Sequence, residues 1–168
     1  MLPSLFSYIA WFLVLIVVQV VVCNHIHLFG YAMPMIYIYF IMILPGNIAR
    51  WGLLIIAFIL GLVIDMFSNT PGMASSALLF VALLRPFVLT IFAPSDRGDG
   101  VFVPSVRTME WGGFARYTIA MSLLQTTTFY IIEVFSFFHL TTLLWNILSS
   151  TVLTSVLILA LEMMRNKR

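Results

Sequence analysis

A few side chains here have the types and surroundings from which chemistry is usually built. Asp65 lies inside an apolar run, GLLIIAFILGLVIDMF, and Glu133 lies inside another, TTTFYIIEVF. Arg85 interrupts VALLRPFVL, Gln19 stands near the end of the first apolar stretch, and His25 and His27 flank a single isoleucine. A carboxylate at the centre of a membrane helix costs roughly 2.5–3.5 kcal/mol on insertion scales, and less near the interface. Such a residue therefore marks either a site or a structural joint. Asp65 and Glu133 at a common height would suit a proton or cation site. His25-x-His27 would supply half of a metal site, but two histidines in a turn with no acid nearby are ordinarily solvated.

The elements that must position these groups follow from composition. The 168 residues are 62% hydrophobic and only 8% charged, against roughly 25% charged in a soluble domain. The apolar stretches are continuous rather than alternating, which selects helices over a barrel in lipid. We expect an all-α integral membrane protein, one bundle of about six transmembrane helices in a single domain. The spans are expected at about 4–22, 29–44, 51–67, 72–92, 114–138 and 140–164, with a cytoplasmic loop over 93–113. The first segment lacks a basic leader and a small-residue cleavage site, and reads as a retained anchor. Arg85-Pro86 is expected to kink or divide the fourth segment, with Arg85 snorkelling to the cytoplasmic face. The lone Cys23 excludes an internal disulfide. A net charge of +2 gives no footprint for nucleic acid.

Six spans place both termini on one side. Arg50, Arg97, Arg107, Arg116, Arg165, Lys167 and Arg168 then share a face, and Arg85 lies in the half of its segment nearer that face. The positive-inside rule makes that face cytoplasmic. From Trp51 to Asp65 is a rise of about 21 Å at ~1.5 Å per residue, which puts Asp65 in the outer third of a ~30 Å core. Glu133 reaches about 24 Å above Tyr117 and is expected at the interface, exposed. The histidines, His139 included, and Gln19 also fall on the outer side. Asp65 has two readings: it faces the bundle, where Gly61 one turn earlier admits a neighbouring helix, and there fixes the packing or lines an outer cavity; or it starts the cap of the Ser68-Asn69-Thr70 turn. Gly61 and the turn favour a structural role, on which Asp65→Asn is expected to keep function. The following GMASSALL is rich in the small residues that let membrane helices approach closely. There is no phosphate loop, no H-E-x-x-H and no nucleophile elbow. No catalytic residue, cofactor or metal is assigned.

Gln19 near the end of the first segment, Pro34 opening the second, and GLVIDMFSNTPG, with Gly61, Asp65 and Gly72, together resemble the MreD family of bacterial rod shape-determining proteins. The resemblance covers essentially the whole chain, although the turn carries an additional Pro71 and the central cytoplasmic loop is long. It implies a non-enzymatic inner-membrane component of the cell-elongation complex. The partners it implies are a MreC-like bitopic protein, a RodA-type glycosyltransferase with its transpeptidase, and the MreB cytoskeleton. The alternative is the substrate-binding membrane component of an energy-coupling-factor vitamin transporter, which also places polar groups towards the outer side of a small helical bundle. Arg85 and Glu133 complete the set of candidate structural or interaction residues.

Overall fold

The computed structural model describes residues 5–23, 33–93, 102–133 and 140–166, and every regular element among them is a helix. In chain order these are α1 (Leu5–Val21), α2 (Ile38–Ile43), α3 (Arg50–Ser68), α4 (Met73–Phe92), α5 (Val106–Glu133) and α6 (Leu140–Asn166). Three stretches, Arg50–Ser68, Met73–Phe92 and Thr141–Arg165, are long and apolar enough to cross a membrane. At ~1.5 Å per residue they measure roughly 28–37 Å, matching a hydrocarbon core of about 30 Å. α3 packs on α4, α4 on α5 and α5 on α6, while α1 lies against α3. α2 occupies the axis between α1, α4 and α5, and all six of its residues are buried.

The second segment departs most from expectation. Residues 29–44 were expected as one helix, yet only Ile38–Ile43 is helical and 33–37 is not. Six helical residues cover only ~9 Å. The segment nonetheless runs along much of the bundle. Met33 and Met35 are tied to Ser150 and Thr154 of α6, Tyr39 reaches Glu162 of the same helix, and Gly46 bonds the Phe102 carbonyl just ahead of α5. Positions 150 to 162 of a helix are about 18 Å apart. Seven residues, 33–39, match that distance because the first of them are not helical. The local cause is legible: Pro34 lacks an amide and disfavours helical geometry at Met33, and MPMIYIYF is dense in residues that prefer extended backbone.

The other boundaries lie close to the expected ones, with two exceptions. α4 continues through Pro86 as a single helix and is not divided there. α5 begins at Val106, inside the stretch expected as a loop. There the Thr108 and Met109 amides bond the Ser105 carbonyl, and the Thr108 hydroxyl accepts from the Ser105 amide. This first turn is separated from residues 111–133 by Glu110, whose φ of 57° and ψ of 168° are non-helical. His25, His27, Arg97, His139, Lys167 and Arg168 lie outside the described residues. The described arginines, Arg50, Arg85, Arg107, Arg116 and Arg165, all lie in the half of the bundle away from the α3–α4 turn.

Candidate functional site

The α3–α4 turn is built around Asp65. α4 starts at Met73 behind Gly72, an N-cap residue with no side chain to offer its first amides. Asp65 supplies that cap from the neighbouring helix. Its Oδ1 accepts from the Ala74 amide at 2.8 Å and the Thr70 hydroxyl at 3.0 Å. Its Oδ2 accepts from the Ser75 amide at 3.0 Å and the Ser75 hydroxyl at 2.8 Å. An anion on the first free amides of a helix is favoured both by hydrogen bonding and by the helix dipole. The backbone carbonyl of the same residue accepts from Asn69 and Thr70, closing the end of α3. One residue therefore finishes both helices.

The turn between them has the chemistry it needs. The Met73 amide bonds the Thr70 carbonyl, with Pro71 and Gly72 between, and Gly72 has φ +85°. That is a type II turn, which accepts Pro at its second position and requires positive φ at its third. Pro71 thus fits the turn. One turn before Asp65, a Cβ on Gly61 would sit 2.3 Å from the Ser75 Cα and 2.7 Å from its nitrogen. The backbones of α3 and α4 touch there, so Asp65 reaches the α4 amides only because position 61 has no side chain. Both readings of Asp65 hold at once: it faces the bundle and it caps.

Gln19 and Pro34 form a second joint. The Gln19 Oε1 accepts from the Ile36 amide and its Nε2 donates to the Pro34 carbonyl, both at 2.9 Å. The Met33 amide donates to the Ser150 hydroxyl and the Met35 amide to the Thr154 hydroxyl, both at 3.0 Å. Non-helical backbone survives inside a membrane bundle only when protein groups satisfy it. Here α1 and α6 supply them. Deeper along the segment, the Tyr37 hydroxyl accepts from Gln125 of α5.

Arg85 corrects the sequence reading. It does not snorkel: it is 1% exposed. Its guanidinium donates to the carbonyls of Met42, Leu44 and Pro45. The last carbonyls of a helix have no partner within it, and a cation there also suits the helix dipole. Arg85 thus caps the end of α2.

Sequence reasoning missed Glu162, which is 1% exposed. Its carboxylate accepts from the Tyr39 hydroxyl at 2.6 Å, the Val106 amide at 3.2 Å and Arg165 at 2.9 Å, joining α2, α5 and α6. The signal that could have found it is a helical stripe, Ser150, Thr154 and Glu162 at multiples of four. Thr118, Ser122 and Thr126 repeat the spacing on α5, and all are buried. Glu133 ends α5 exposed, as expected, and makes no pair with Asp65, whose four contacts are all to the turn and α4. No cluster of three metal-ligating side chains occurs among the described residues.

Between the Asp65 and Gln19 joints lies a partly open cavity of about 330 Å³. Among the described residues, both buried carboxylates, Asp65 and Glu162, are spent on hydrogen bonds within the fold. These bonds hold helices together. Comparison with family models, with curated proteins and with solved structures returns no match. The architecture and its joints therefore carry the functional argument alone.

Proposed function

We propose that the chain is a non-enzymatic, multi-pass protein of the bacterial inner membrane, of the MreD type. In this reading it supports cell shape and lateral peptidoglycan synthesis by holding a MreC-like bitopic protein, a RodA-type glycosyltransferase with its transpeptidase, and MreB. The observation that carries it is that the residues of the resemblance build two joints. Gly61 and Asp65 with Gly72 make one joint, and Gln19 with Pro34 makes the other. A signature consisting of joints is what a scaffold needs, since its task is to present fixed helix faces. Arginines gathered in one half of the bundle support a cytoplasmic placement for that end. Depleting the protein in the native bacterium is expected to round or swell the cells. Normal shape with failed vitamin uptake would reject this role in favour of the transporter component. The topology has its own check: a cysteine introduced at 68–71 should label from outside intact cells and one at 98–100 should not.

A further inference from the structure

We propose that the cavity between α1, α3, α5 and the non-helical stretch at 33–37 is a binding site for one hydrocarbon chain of a membrane lipid. The wall is built by the unwound segment. Met33, Met35 and Tyr37 all line the cavity, and Gln19, which lines it too, holds the intervening Pro34 carbonyl and Ile36 amide. Val20, Ile64, Phe67, Ala74 and Phe129 make most of the lining residues apolar, with Gln19, Ser68, Thr70 and the Tyr37 hydroxyl as its polar members. At about 330 Å³ it lies at the small end of ligand sites, which run from ~300 to 1,000 Å³.

The lining selects the class of ligand. Among the described residues, no Asp, Glu, Lys, Arg or His contributes to it. Most of its polar side chains are already engaged in the fold: Gln19 bonds Pro34 and Ile36, the Thr70 hydroxyl bonds Asp65, and the Tyr37 hydroxyl accepts from Gln125. A polar solute would exchange its water for little in return. Two methionines and two phenylalanines offer a soft, adaptable surface that suits a flexible chain. Ser68 and Thr70 of the turn also border the cavity, at the ends of α3 and α4, two helices long enough to span a bilayer. A lipid beside them can place its chain inward while its headgroup stays outside. This inference does not depend on the role in cell shape.

The test uses the full chain, purified in detergent with a trace of phosphatidylcholine that carries a photoactivatable diazirine in mid-chain. Adducts are mapped by mass spectrometry. Adducts are expected at 33–37, 64 and 129 in excess of those at Leu62 and Val152, exposed positions on α3 and α6. Val20→Trp, which fills the cavity, should abolish the first set and leave the second. Should that variant fail to fold, competition on the wild type decides: unlabelled phosphatidylcholine should remove the cavity adducts, and glycerophosphocholine, which has the headgroup without chains, should not. Cavity adducts no more abundant than surface ones, or displaced by glycerophosphocholine, would overturn the proposal. So would persistence of the cavity adducts in folded Val20→Trp.

Discussion

Asp65→Asn is the most informative single change, because asparagine keeps the size and differs only in what it can accept. Four donors converge on the two carboxylate oxygens, two on each. An asparagine keeps one oxygen and replaces the other with an NH₂ group, which donates. The oxygen can retain the Ala74 amide and the Thr70 hydroxyl. The NH₂ then faces the Ser75 amide, donor against donor, while the Ser75 hydroxyl can rotate to accept. A buried amide left unpaired costs about 1–3 kcal/mol. Losing the negative charge at the start of α4 adds about 0.3–1 kcal/mol. The sum, about 1.3–4 kcal/mol, lowers the folded-to-unfolded ratio by roughly one to three orders of magnitude. Reversible unfolding in mixed detergent micelles, followed by circular dichroism, measures it. Asp65→Ala should lose more, and Ser75→Ala less, because the Ser75 amide keeps its bond. Stability of Asp65→Asn within about 0.5 kcal/mol of wild type, the scatter of a bland surface change, would refute the capping argument. The sequence reading expects Asp65→Asn to keep function; the capping geometry adds an expected loss of stability.

Four further outcomes are expected from the same unfolding measurement. Gly61→Ala should cost about 1–3 kcal/mol or more by driving α3 off α4, and a neutral result would mean the backbones do not touch. Gln19→Leu should cost about 2–6 kcal/mol by orphaning one buried amide and one carbonyl at about 1–3 each, with Gln19→Glu unable to restore the donor to Pro34; a neutral Gln19→Leu would remove the clamp. Arg85→Lys should lose about 1.5–3 kcal/mol, one charged hydrogen bond, because a single ammonium cannot spread over three carbonyls as the guanidinium fork does; unchanged stability would return Arg85 to the membrane surface. Glu110→Gly should raise the midpoint, since φ 57° with ψ 168° lies in a region essentially reserved for glycine and strained by about 1–3 kcal/mol for other residues. A lowered midpoint would contradict that.

The helical class and most element boundaries were legible because hydrophobicity in long unbroken runs has few other solutions. The Asp65 joint was legible in part: its neighbours Gly61 and the 68–72 turn are local in sequence, so height and spacing located them. Arg85 was not. An arginine near a helix end reads the same whether it reaches water or a buried carbonyl, and its partners at 42–45 lie some forty positions away. The unwinding of the second segment was half visible in Pro34, but the groups that make it tolerable, Gln19, Ser150 and Thr154, sit on other helices. Glu162 was hidden by its neighbours, since an acid followed by RNKR looks like part of a solvated tail.

The ties from Met33 and Met35 to Ser150 and Thr154 span 117 and 119 residues of sequence. They bind the order of synthesis to the order of assembly. When residues 33–37 leave the ribosome, the hydroxyls that complete their backbone do not yet exist. At ~5–20 residues per second they arrive about 6–24 s later. In a bilayer the second segment would until then hold amides that lipid cannot satisfy. The axis of the bundle is thus the last part of the molecule to settle, although it is among the first to be made.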